Sequence, residues 1–118
     1  MNEKPKVYVV AKGLHNWDEA YTHGEVVFLS SVPISRNAVS NIVRLFAPIL
    51  KKSKPTDYIV ITGLSVMCSI ACALFVLKHQ RLNLLLFDAA GSKYIKRTIM
   101  LDDIESLEDL SEITRPVA

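Results

Sequence analysis

Two short runs constrain this chain more than any other feature. Tyr58 to Thr62 (YIVIT) and Leu82 to Phe87 (LNLLLF) are apolar with almost no alternation. A strand with one wet face alternates apolar and polar residues at period two, so an unbroken apolar run reads as a strand covered on both faces. Such strands occur where helices pack on a mostly parallel sheet. The segment between the two runs opens at Thr62-Gly63-Leu64-Ser65, ends near His79 and is apolar almost throughout. That length suits the helical crossover that two parallel strands need. Its apolar stretch, Leu64 to Leu77, falls short of the ~20 residues that span a bilayer, so it predicts a buried core helix.

The rest of the chain fits the same scheme. Lys6 to Lys12 (KVYVVAK) and Glu25 to Ser30 (EVVFLS) are β-branched and apolar, and predict two strands. Between them, Gly13 to Gly24 (GLHNWDEAYTHG) predicts a loop or short helix. Pro33 breaks the chain after the second strand. From Ser35, a candidate N-cap, to about Lys52, the residues Val39, Ile42, Val43, Phe46, Ile49 and Leu50 recur at helical spacing. Lys51 and Lys52 suit the negative end of that helix, and Pro48 should kink or shorten it. Pro55-Thr56-Asp57 reads as a turn and Asp88 to Ser92 as a hairpin loop. Lys93 to Ile99 alternates as an edge strand whose Lys and Arg guard against further pairing.

The expected fold class is therefore α/β, in the order β-β-α-β-α-β-β. Its sheet should be short, Rossmann-like and mostly parallel, with the last strand antiparallel at one edge. The first strand can lie centrally or form a hairpin with the second, since the connection permits both. At 118 residues the chain suits one domain, expected over 1–100. Residues 101–118 form an acidic amphipathic tail, in which Ile104, Leu107, Leu110 and Ile113 stand three apart. A helix this short is marginal alone in water, so the tail should dock, on its own body or on a second copy or partner.

Charge is unevenly spread. Residues 1–100 hold 13 Lys and Arg against 6 Asp and Glu, while 101–118 hold one Arg against six acids. A basic body with an acidic tail suggests that the tail covers, or imitates a ligand of, a basic surface. The N-terminus lacks the layout of a secretory signal, and the expected location is cytoplasmic, with no membrane association. Cys68 and Cys72 share a helix face, but two thiols cannot complete a zinc site and i,i+4 spacing suits a disulfide poorly. They read as small core residues.

In open parallel sheets, ligands lie beyond the carboxyl ends of the strands where the strand order reverses. Three segments could meet there, and the loop around Phe87-Asp88 could join them. The Gly13–Gly24 loop offers His15, Asn16, Trp17 and Asp18; Ser31 follows the second strand; and Thr62, Gly63 and Ser65 form a strand-to-helix turn. Backbone N–H groups at a helix start, with glycine allowing close approach and hydroxyls adding donors, suit an anion. These eight residues are the candidate ligand-binding set. No phosphate-loop, dinucleotide or serine-nucleophile motif occurs in the chain. An enzymatic alternative uses His15 or His23 as acid/base, with Asp18 as orienter or ligand. The loop's histidines and acids do not form a defensible metal signature, and neither a metal nor a cofactor is expected.

The run KVYVVAKGLHNWDEA, then EVVFLSS, DYIVITGLSVMCSIACALFVLKHQRLNLLLF and KYIKRTI, resembles small α/β proteins encoded by tailed bacteriophages. The similarity spans roughly residues 6–100. It implies an accessory or host-takeover factor in an infected bacterial cytoplasm, and carries no catalytic motif. The reading that results is a non-catalytic binding module, with a homodimer as its expected assembly. It holds a small anionic, nucleotide-like ligand or a host protein. A small nucleotide hydrolase or nuclease is the first alternative. An inhibitor acting through the acidic tail is the second. Lys51, Lys52, Lys54, Lys93, Lys96 and Arg97 could meet nucleic-acid phosphates, but no nucleic-acid-binding motif accompanies them.

Overall fold

A computed structural model describes residues 4–13, 15–31, 35 and 37–105. Pro33 and residues 106–118 of the tail lie outside them. Five strands form one sheet: β1 (Lys6–Val9), β2 (Glu25–Phe28), β3 (Tyr58–Val60), β4 (Arg81–Asp88) and β5 (Lys93–Met100). Four helices accompany them: α1 (Asp18–Tyr21), α2 (Val39–Leu50), α3 (Ser65–His79) and α4 (Leu101–Glu105). The strand order is β2-β1-β3-β4-β5, parallel except for the antiparallel pair β4–β5. The fold is the expected mixed α/β class. Of the two arrangements open to β1, the structure takes the central one, with β1 parallel to both β2 and β3.

Alternate residues of the strands build two cores. Tyr8, Ile59 and Leu82 point to one face, where Ile42, Phe46 and Leu50 of α2 and Met67, Cys68, Ala71 and Phe75 of α3 cover them. Val7, Val9, Val60 and Leu85 point to the other, beneath Trp17 and Ala20 at the short helix α1. This double cover explains why β1, β3 and β4 do not alternate in sequence. Phe46 and Phe75 are fully buried, and truncating either to alanine should cost about 3–5 kcal/mol.

Three sequence expectations need correction. Ser35 is not the N-cap of α2, which begins at Val39 with Ala38 as its cap residue and no capping side chain. The Ser35 carbonyl instead accepts the Ala38 N–H in a turn ahead of the helix. Lys51 and Lys52 lie just beyond the helix rather than in its last turn, because α2 stops at Leu50, two residues past Pro48. Finally, α3 is not buried all round. Its inner face packs on the sheet, but Val66 and Leu77 are exposed, Leu77 to 77%. No described helix is long and apolar enough to cross a membrane.

The amino ends of the parallel strands are locked by buried polar groups. Asp57, 2% exposed, accepts the backbone N–H of Lys6 at 2.8 Å and that of Lys54 at 2.8 Å. The Tyr8 hydroxyl also points to it, at 3.5 Å, and burial together with this carboxylate pushes the phenol pKa up. Asn83, the single polar residue inside LNLLLF, donates to the carbonyls of Pro55 and Asp57 at 2.6 and 2.8 Å. Buried polar groups are tolerated when bonded this fully. Gly24 serves the same end of the sheet. Glu25 N–H bonds the Pro5 carbonyl at 2.9 Å to start the β1–β2 ladder, and a Cβ on Gly24 would run into that carbonyl.

Candidate functional site

The sheet order reverses at β1: one connection leads outward to β2 and the next returns to β3 on its other side. The loops leaving the carboxyl ends of β1 and β3 therefore diverge and leave a crevice, the usual ligand position in such sheets. A hollow of about 280 Å³ lies there. His15, Asn16 and Trp17 from the β1–α1 loop form one wall, and Ile61, Thr62 and Gly63 beyond β3 form the floor. Phe87 and Tyr94 close the third side.

Local sequence explains each wall. Gly13 turns the chain off β1 with φ +56°, a left-handed conformation that glycine takes at little cost. The Trp17 indole N–H then donates to the Lys12 carbonyl at 2.8 Å, tying the loop to its own root. Trp17 is 7% exposed and meets the rings of His15 and Phe28 edge-on, at 5.7 and 6.1 Å between centroids. The loop is thus pinned by its aromatic anchor while His15 stays exposed.

At the floor, Thr62 organises the turn into α3. Its hydroxyl accepts the Leu64 N–H at 3.2 Å, and its own N–H points to Cys68 Sγ at 3.4 Å. Cys68 therefore props the turn as well as filling the core. Cys72, one turn on, has its thiol pKa raised to about 11 by burial and the neighbouring Cys68, which leaves it protonated and unreactive. Gly63 is exposed, and space above it is open.

The third wall comes from the β4–β5 hairpin. Phe87 and Tyr94 are cross-strand partners with ring centroids 5.2 Å apart. Burial and the nearby Glu19 carboxylate raise the Tyr94 pKa, so its hydroxyl remains a neutral donor. The sequence reading allows the loop around Phe87-Asp88 to join the site but does not include Tyr94. The signal was available, since a hairpin loop at Asp88 to Ser92 sets Phe87 and Tyr94 opposite each other.

The structure brings together five of the eight sequence candidates: His15, Asn16, Trp17, Thr62 and Gly63. Ser65 lines a small adjoining hollow at the start of α3, which shares Gly63. Asp18 and Ser31 are exposed and do not line the crevice. Asp18 N–H donates to Asn16 Oδ1 at 2.8 Å, so that carboxamide oxygen is committed to starting α1. Of the residues offered for acid–base chemistry, only His15 faces the crevice. His23 lies at the far end of α1, its Nε2 3.6 Å from Glu19 and its ring edge-on to Tyr94 at 6.3 Å. Among the described residues, no three His, Cys, Asp or Glu side chains stand together as metal ligands.

A family model described as Phage Pam3 gp32-like protein matches residues 5–101. The chain belongs to that phage protein family. The match covers all five strands and ends where the acidic tail begins. No curated protein and no solved structure matches the chain.

Proposed function

We propose that this phage family member is a non-catalytic accessory protein that holds a small, planar, anionic ligand of nucleotide type in the crevice between β1 and β3. The observation that carries this reading is the meeting of the His15-Asn16-Trp17 loop with the Thr62-Gly63 turn, opposite Phe87 and Tyr94. Aromatic walls suit a flat ring, since stacked and edge-on ring pairs add about 0.5–1.5 kcal/mol beyond area burial. An open glycine at the entrance to a 15-residue helix lets an anionic group approach backbone N–H donors. The hollow is about the size of the smallest ligand pockets. Hydrolysis has less support, because neither Asp18 nor His23 lines the crevice with His15.

Trp17 is the sole tryptophan and lines the crevice, so its fluorescence reports occupancy directly. Titration with AMP, ADP, ribose 5-phosphate and inorganic phosphate should change Trp17 emission saturably for at least one nucleotide. The same ligand should raise the melting temperature, by mass action worth about 2.7 kcal/mol at a hundred times Kd. Flat titrations and unchanged melting across the panel would remove the nucleotide reading. Turnover of the nucleotide would replace the binder with the hydrolase.

A further inference from the structure

The amino-end rim of the sheet carries charge above the buried groups that lock it. Lys4, Lys6, Lys52 and Lys54 line one hollow there, over Asp57. Lys4 and Lys6 also line a second hollow of about 770 Å³, together with Tyr21 and Glu25. The shared pair makes the two hollows one basic surface. Both lysine pairs stand on fixed backbone. Between Lys4 and Lys6, the Pro5 carbonyl accepts the Glu25 N–H at 2.9 Å. Between Lys52 and Lys54, Ser53 is buried with its hydroxyl on the Leu50 carbonyl. Asp57 joins the two segments, since its carboxylate accepts the N–H of Lys6 and that of Lys54. Its oxygens are thus engaged below the rim, and Glu25 is the one exposed acid among the described residues that line the two hollows.

We propose that this rim binds the phosphodiester backbone of single-stranded nucleic acid. Lysine is a compact point charge that suits phosphate, and neutralising successive phosphates drives binding by releasing their counterions. Tyr21, 55% exposed, offers a ring on which an unpaired base can stack. An acidic protein fits less well. Protein interfaces place aromatic and apolar side chains at their centre and are depleted in lysine, whereas Tyr21 is the sole such side chain among the described residues lining either hollow. The rim lies at the opposite end of the parallel strands from the crevice, so the two sites stand or fall separately.

Fluorescence anisotropy of labelled oligothymidylate and oligouridylate, each about twenty nucleotides long, tests this on the full chain. At about 50 mM salt at least one should bind saturably, and log K should fall against log salt with a slope of about −2 to −3, as for three or four phosphate contacts on a single strand. Lys4→Gln combined with Lys52→Gln, both at exposed positions, should weaken binding at least tenfold and bring the slope to about −1. Tyr21→Ala should weaken it several-fold at unchanged slope. Lys93→Gln combined with Arg97→Gln removes the same charge from the edge strand β5 and should stay within twofold, as should His15→Ala at the crevice. Melting temperatures matching the unaltered chain show that each variant is folded. Absence of saturable binding, a slope near zero, or an equal loss in the β5 pair would overturn the proposal. A loss in His15→Ala would also overturn it, by placing the strand at the crevice. So would tighter binding of a duplex of the same length, which leaves Tyr21 no free base, or of polyglutamate, which would make an acidic protein the partner.

Discussion

Asp57 and Asn83 at the amino end of this sheet and the crevice residues at its carboxyl end stand in opposite states. At the amino end, Asp57 and Asn83 are buried and bonded to the backbone around them. At the carboxyl end, His15 and Gly63 are exposed and Thr62 is half-buried around a hollow. Polar groups whose bonds close internally hold the fold, and polar groups facing space are available to a ligand. Chemical type alone does not separate the two. Asp57 is more reactive on paper than Asn16, but its oxygens are already committed.

The sharpest way to break this contrast is at the amino end. Asp57→Ala leaves the N–H groups of Lys6 and Lys54 without their acceptor, and hydrogen bonds to a charged group are worth about 1.5–3 kcal/mol each. The expected loss is about 3 kcal/mol or more, read from chemical denaturation. A loss below 1 kcal/mol would mean that this end is not the structural one. Gly24→Ala comes next. The methyl must displace the Pro5 carbonyl that opens the β1–β2 ladder, at an overpacking cost of about 1–3 kcal/mol.

Substitutions at the carboxyl end should behave differently. His15→Ala and Phe87→Ala alter exposed side chains and should move stability by less than about 1 kcal/mol. Each should weaken nucleotide binding about tenfold in the Trp17 titration, the equivalent of a lost aromatic contact. Unfolding by either variant would show that the aromatic rim supports the fold and would erase the contrast between the ends.

How much of this was legible beforehand follows from where the information resides. The unalternating runs YIVIT and LNLLLF disclose double burial directly, and the stripe at Ile42, Phe46 and Leu50 discloses the inner face of α2. The placement of β1 was not legible, because a connection of this length permits a parallel or a hairpin partner and only tertiary packing decides. The site was half legible. Loop residues at strand ends, Phe87 among them, can be named from sequence, but Tyr94 enters through the register of a hairpin. The amino-end lock was overlooked, although Asn83 inside an apolar strand was the clue: a lone amide there must find buried partners.

The smallest expected effect sharpens the contrast through pH. His79, in the last turn of α3, packs on Phe75 with ring centroids 4.5 Å apart. Ser53 Oγ lies 2.8 Å from its Nε2 and donates to the Leu50 carbonyl, so the imidazole N–H is the donor to the hydroxyl. Burial, and then the neighbouring Lys78 charge, lower the His79 pKa below its ordinary 6.5. The folded chain therefore binds this proton less readily than the unfolded chain. Stability from this site is fully present above about pH 6.5 and is lost as pH falls through the folded value. The residue is only partly buried, so the change should be modest. His79→Gln should flatten the pH dependence of the denaturation midpoint between about pH 5 and 7. If the midpoint of the His79 variant kept its full pH dependence, the proton-sensitive position would lie elsewhere, and this part of the amino end's structural role would fall.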